Sequence, residues 1–185
     1  MSLSGVLFRV LLSVLGSIPY PILYRTGKLL SFLISVFPNK HKNITKVNLG
    51  VVFKDKTIEE RRELLKKSLF HSSMNFLESG IVWNKKNFKK IEANIDIFNV
   101  EAVNNSLRSD RGVLLITPHL GNIEVIINYL GSEFDCTIPY TKPKNSTLDK
   151  VITESRNSLG VNMVNIDSSG IKQILSTLKN NKLVT

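Results

Sequence analysis

Between residues 95 and 185, short runs of apolar and β-branched residues alternate with stretches of helical period. The runs are Ile95–Phe98, Val113–Ile116, Cys136–Tyr140, Val161–Ile166 and Lys182–Thr185. Helical patterns fill the gaps at Val100–Arg108, Ile123–Leu130, Leu148–Leu159 and Ile171–Asn180. A strand followed by a helix and another strand favours parallel pairing, so the pattern predicts an α/β sheet, at least partly parallel, with flanking helices. Val113-Leu114-Leu115-Ile116 is apolar without alternation, as expected of a strand covered on both faces.

The other end of the chain has a different character. Residues 1–37 carry only Arg9, Arg25 and Lys28 as charges, and two apolar stretches are interrupted by Pro19 and Pro21. Neither stretch reaches the roughly 20 residues of a clean transmembrane helix. Proline breaks a helix interior. The expectation is two helices, about Leu3–Ser17 and Ile22–Phe37, forming a membrane-associated hairpin over residues 1–37. Residues 38–94 read as a basic helical region. There Thr57-Ile58-Glu59-Glu60 is a capping box opening a helix that runs to about Ile81. Its apolar face includes Leu65, Leu69, Phe70, Met74, Phe76 and Leu77, and Glu63, Lys67, His71 and Asn75 mark the opposite side. Residues 95–185 form the α/β core.

All of the net charge of +10 lies in residues 1–95, which hold 16 Lys and Arg against 6 Asp and Glu; residues 96–185 hold nine of each. A basic zone beside an apolar segment suits anionic lipid headgroups, with Lys40, Lys42 and Lys46 placed to meet phosphates. A second cluster, Lys85, Lys86, Lys89 and Lys90, surrounds Phe88, and His41 sits solvated among the first lysines. The neutral α/β half does not fit a nucleic-acid groove. The single cysteine, Cys136, rules out an intrachain disulfide and falls in a strand, where it reads as a small core residue. A hydrophobic content of 42% excludes a disordered chain.

The chemistry concentrates in Gly112-Val-Leu-Leu-Ile-Thr-Pro-His119-Leu-Gly-Asn-Ile-Glu124. His119 follows a predicted strand, and ligands of open α/β sheets bind at the carboxyl ends of strands. Gly121 permits a tight turn, Asn122 is a good helix cap, and Glu124 falls in the first turn of the next helix. A neutral imidazole can take the proton of a substrate hydroxyl near neutral pH. A carboxylate on its other nitrogen would fix the tautomer and stabilise the imidazolium, so the stretch predicts a hydrogen-bonded His119–Glu124 dyad. On spacing alone, a capped loop histidine and an acid complementing the helix dipole explain the same residues.

This block resembles that of the bacterial lipid A biosynthesis acyltransferases, a His-x4-Asp/Glu family. The order of apolar strand, His119, Gly121, Asn122 and Glu124 is similar; Ile123 stands where members usually carry Trp. The likeness extends upstream to the Pro-interrupted amino terminus and Asn48-Leu49. Downstream it takes in Tyr140 to Asn145, Leu148-Asp149, Arg156 and Gly160. Thr141-Lys142 replaces the family's usual Arg-Pro after the tyrosine. The resemblance covers nearly the whole chain, whose ending in a strand, short of the family's later Asp-Gln segment, is expected of a C-terminally truncated member.

The resemblance implies an acyl carrier protein thioester as acyl donor, with no metal and no other cofactor. It implies a phosphorylated lipid A precursor as acceptor and membrane lipids as surroundings, on the cytoplasmic face of a bacterial inner membrane, with no nucleic acid. His119 would be the base and Glu124 its partner. Arg156 would bind a phosphate or the developing oxyanion, and Asn122 and Gly121 would shape the substrate loop. Two other readings stand beside it: a related acyltransferase with another glycolipid or phospholipid acceptor, and a non-catalytic basic module at a membrane surface.

Overall fold

A computed structural model describes residues 3–92, 95–143, 146–158 and 160–185, and only the backbone at residues 3, 4, 85, 86, 90, 91, 147 and 148. Asn145 and Leu159, quoted above, lie outside the described residues, as do the side chains of Lys85, Lys86, Lys90 and Leu148. The chain divides into two compact units, residues 17–79 and residues 1–16 with 80–185.

Nine helices and four strands are described: α1 Leu3–Ser17, α2 Tyr20–Val36, α3 Lys40–Val52, α4 Ile58–Val82, α5 Lys85–Glu92, α6 Val100–Arg108, β1 Val113–Leu114, α7 Ile123–Glu133, β2 Cys136–Tyr140, α8 Ser146–Ser158, β3 Asn162–Asn165, α9 Ser168–Lys179 and β4 Leu183–Val184. The fold is mostly helical, with a small sheet in the order β1-β4-β2-β3 whose pairings are all parallel. The last strand thus inserts between β1 and β2.

The unit of residues 17–79 is built by α2, α3 and most of α4. Helix α2 begins two residues earlier than expected. Pro21 falls in its first turn, where a missing N–H removes no helical bond. It ends at Val36 because Pro38 holds Phe37 extended (φ −77°, ψ 143°). Asn39 caps α3 by accepting from the Lys42 N–H at 2.8 Å. The Lys42 ammonium turns back to the carbonyls of Ser35 in α2 and of Phe37 just past its end, at 2.9 and 3.2 Å. The Thr57–Glu60 box closes as its spacing predicts: Glu60 accepts from the Thr57 N–H at 2.8 Å, and Thr57 Oγ1 accepts from the Glu60 N–H at 3.2 Å. Leu23, Leu69, Met74 and Leu77 are buried, and Tyr24 meets Phe70 edge-on. Phe76, expected on the buried face of α4, is exposed, as are His41 and His71. Among the described residues no single helix is long and apolar enough to cross a membrane; Gly5–Ser17 and Tyr20–Val36 meet that test only as a bent pair.

In the other unit, side chains alternate between the sheet faces. Val113, Leu115, Cys136, Ile138, Met163 and Leu183 pack with Ile127 and Leu130 of α7 and Val103 of α6. On the opposite face, buried Thr137 bonds Thr177 of α9 at 3.0 Å, and Val164 and Val184 are buried. Cys136 is fully enclosed, and loss of hydration pushes its thiol up to about 12, in keeping with a core role.

Two strand expectations need correction. Ile95–Phe98 pairs with no strand among the described residues; it leads into α6 through Asn99 (φ 60°), and Phe98 is exposed. The run Val113–Ile116 is strand only at Val113–Leu114 and is covered on one face, not two: Leu114 and Ile116 are 60% and 85% exposed. β1 is an edge strand, and α9 covers β4, β2 and β3 but not the outward side chain of β1. The last turn of α9 instead crosses the backbone just before β1. A Cβ on Gly112 would lie 2.2 Å from the Leu178 carbonyl oxygen, so only glycine fits there.

Candidate active site

The loop between β1 and α7 carries the residues singled out in the sequence. The β1 ladder runs on to the Leu115 N–H, which donates to the Val184 carbonyl at 2.8 Å. Thr117 and Thr185 hydroxyls then meet at 3.4 Å. Pro118 ends the extended run, and the chain reverses at Gly121 with φ +66°, a conformation that glycine alone adopts freely. A Cβ on Gly121 would touch nothing within 4 Å, so its dihedral, not crowding, demands glycine. Asn122 caps α7, its side chain accepting from the Glu124 N–H at 3.2 Å. Asn128, one turn on, is buried; its amide donates to the carbonyls of Glu124 at 2.7 Å and Val82 at 2.9 Å, anchoring the first turn of α7.

A cleft of about 580 Å3 opens beside these loops, at the carboxyl ends of β1, β4 and β2. Ile123, Ile126, Ile127, Leu130 and Ile138 give it an apolar interior. His119, Tyr140, Thr141, Arg156 and Thr185 supply its polar groups. His119 itself is exposed. Ile123, at the position where the resemblance leads one to expect Trp, is one of the apolar walls.

The charged centre of the site is an ion pair. Arg156 on α8 grips Glu124 with both ends of its guanidinium: Nη2 lies 2.5 Å from Oε1 and Nε 3.2 Å from Oε2. Both side chains are nearly covered, at 12% and 13% exposure. A planar fork matched to a carboxylate is the strongest side-chain recognition of that group. The hydrogen bond expected between His119 and Glu124 is not made in this structure, where the Glu124 carboxylate is held by Arg156. The Arg156 guanidinium also sits 5.6 Å from the centre of the Tyr140 ring. Tyr140 donates to Asp149 at 2.7 Å. Burial, and then the Asp149 carboxylate, push its phenol up to about 12. Glu124, Arg156, Tyr140 and Asp149 thus tie α7, α8 and β2 together beside the cleft.

The structure therefore places His119 and Arg156 on the cleft, Glu124 immediately behind Arg156, and Asn122 and Gly121 in the framework of the loop. The pairing of Glu124 with Arg156 and the Tyr140–Asp149 bond were not read from the sequence. Tyr140, Asp149 and Arg156 did stand within the block that carried the resemblance. Among the described residues no cluster of His, Cys, Asp or Glu could hold a metal ion.

A parallel α/β core with an apolar cleft at the carboxyl ends of its strands places the molecule among open-sheet α/β proteins, whose ligands bind at that edge. Comparison with known proteins narrows this further. Residues 4–185 match the model of the bacterial lipid A biosynthesis acyltransferases, and the chain belongs to that family. It is similar to the lipid A biosynthesis lauroyltransferase of Escherichia coli K12, 26% identical over 180 residues, covering 97% of this chain and 56% of the relative. It is also 21% identical over 167 residues to the lipid A biosynthesis palmitoleoyltransferase of Escherichia coli K12, covering 90% of this chain and 54% of the relative. The lipid A biosynthesis acyltransferase of Shigella flexneri is similar to the same extent. The chain spans about half the length of these curated relatives.

Proposed function

We propose that this protein moves a fatty acyl chain from an acyl carrier protein thioester to a hydroxyl of a phosphorylated lipid A precursor. The observation that carries the reading is His119 on the wall of an apolar cleft that also presents Arg156. His119 takes the proton of the acceptor hydroxyl as the oxygen attacks the thioester carbonyl. The new carbon–oxygen bond forms, the carbon–sulfur bond breaks, and the proton passes from the imidazolium to the departing thiolate. The isoleucines of the cleft shelter the first methylenes of the chain.

Arg156 and Glu124 act together in this reading. An acceptor phosphate, or the oxyanion, draws the guanidinium, and the released Glu124 carboxylate turns to His119 and stabilises its charged form. The helices α1 and α2, with their many exposed apolar side chains, attach the protein to the cytoplasmic face of the inner membrane, where carrier-protein thioesters are made. The test is acyl transfer by a purified full-length version of the protein in detergent micelles, from lauroyl carrier protein to a radiolabelled phosphorylated lipid A precursor, read by thin-layer chromatography; the 185-residue chain alone is expected to turn over little or none. A labelled product that His119→Ala fails to make is expected. Product formed at the same rate by both proteins rules the mechanism out, and a product only with an unphosphorylated glycolipid replaces the acceptor.

A further inference from the structure

Within residues 17–79, a second cleft of about 820 Å3 opens between α3 and α4. Leu49, Ile58 and Leu65 form apolar walls, and Lys46, Arg61 and Arg62 bring cationic groups to it. Two other lysines line it but are engaged: Lys42 with the carbonyls of Ser35 and Phe37, and Lys66 with Glu63 at 2.6 Å. Lys46, Arg61 and Arg62 form no ion pair with a carboxylate among the described residues. They present unneutralised charge beside an apolar recess, which suits an amphipathic anion.

Gly50 is the informative residue. Glycine weakens a helix interior, yet Gly50 sits inside α3 with an ordinary helical backbone, and a Cβ there would meet nothing within 4 Å. Neither backbone conformation nor packing requires it. Its effect is to leave the α3 side of the cleft open.

The surroundings distinguish a lipid from an acidic protein. The chain has no Asp or Glu before Asp55, so α2 and α3 carry cationic and apolar groups and no carboxylate. Val47, Val51 and Val52 of α3 are exposed, as are Phe32, Val36 and Phe37 at the end of α2. Exposed aliphatic groups mixed with Lys and Arg, lacking any acid, are the composition of a helix lying at an anionic membrane surface.

We propose that the α3–α4 cleft seats the headgroup of an anionic phospholipid. Lys46, Arg61 and Arg62 hold the phosphate, Leu49, Ile58 and Leu65 pack on the glycerol and first methylenes, and the α3 valines enter the headgroup layer. The assignment does not rest on the acyl-transfer reading. It is tested by sedimenting the full chain with vesicles of phosphatidylcholine, alone or mixed with phosphatidylglycerol. The native protein binds the mixed vesicles more tightly. Removing all three charges in Lys46→Gln/Arg61→Gln/Arg62→Gln lowers that binding by about a hundredfold, at about fivefold per charge. Gly50→Leu keeps every charge but fills the cleft, and it loses most of the preference while binding phosphatidylcholine as before.

Circular dichroism confirms that the variants are helical. Should the triple variant fail to fold, Gly50→Leu carries the test, since its side chain enters open space. A full preference in folded Gly50→Leu overturns the proposal, because diffuse surface charge then suffices. Unchanged vesicle binding in the variants, with loss of binding to an acidic helical peptide, overturns it in favour of a protein-docking groove.

Discussion

In the α/β core, Cys136, Leu183 and Val184 are sealed between helices on both faces of the sheet. In residues 17–79, helix α3 buries no side chain and leaves Val47, Val51 and Val52 in solvent. Charge divides similarly: residues 96–185 hold equal numbers of acidic and basic groups, whereas residues 17–54 hold only basic ones. A sheet closes its own apolar surface through the alternation of its strands. A helix with unpaired cations and exposed aliphatics does not, and depends on a medium that accepts both. In the proposed reading the core holds a reaction geometry, and the basic region meets an interface.

The sharpest test of this division is His119→Ala. It should lower acyl transfer by on the order of 10²–10⁴-fold, the scale of a general base. Because His119 is exposed, vesicle binding and thermal stability should stay unchanged. Loss of vesicle binding in this variant would join the two regions in one function and break the comparison. Arg156→Ala comes next. It strands a nearly covered carboxylate and should destabilise the core by roughly 3 kcal/mol, whereas Arg156→Met with Glu124→Leu should recover most of that. Urea unfolding followed by the fluorescence of Trp83, the single tryptophan, reads this in the unit that contains the pair.

Gly121→Ala should cost about 1 kcal/mol by the same measurement, since alanine is strained at φ +66° though nothing crowds its methyl. Tyr140 gives a smaller, pH-dependent effect. Its phenol titrates near 12 in the folded protein against 10.0 ordinarily, so the unfolded chain loses that proton first. The stabilisation is complete below about pH 10 and is lost as pH rises toward about 12. Tyr140→Phe should flatten the decline in that window. The smallest effect concerns the basic region. Raising salt to about 1 M, where charges are screened beyond roughly 3 Å, should weaken but not abolish binding to anionic vesicles, because buried apolar area is not screened. Complete release by salt would mean that the exposed aliphatics of α2 and α3 contribute nothing.

Much of this architecture was readable from local pattern. The limits of β2, the capping box of α4 and the Asn122 cap follow from alternation and from hydrogen-bonding chemistry within a few residues. The core position of Cys136 follows likewise. What escaped depends on distant neighbours. Val113-Leu114-Leu115-Ile116 looks like a central strand, yet its apolar outer side is bare because α9 passes over Gly112 instead. Ile95–Phe98 has a strand composition but finds no ladder. Around the cleft, the Gly121 turn, the Asn122 cap and the position of His119 after β1 were legible. The partner of Glu124 was not, since no spacing announces that α8 lies against α7 and brings Arg156 within 2.5 Å, 32 residues away.

The placement of β4 between β1 and β2 has a consequence for how the chain is born. Val113 pairs with Leu183, and Cys136 with that same leucine, while β1 and β2 share no ladder. A polypeptide leaves the ribosome from its amino end. His119 and the loop around it are therefore synthesised well before the strand that joins β1 to the rest of the sheet. Until Leu183 and Val184 clear the exit tunnel, the nascent α/β region holds β1 by helix contacts alone. Its apolar edge stays uncommitted for as long as translation takes to cover those seventy-odd residues, and this is the interval in which a chaperone or the bilayer has the greatest opportunity to engage it.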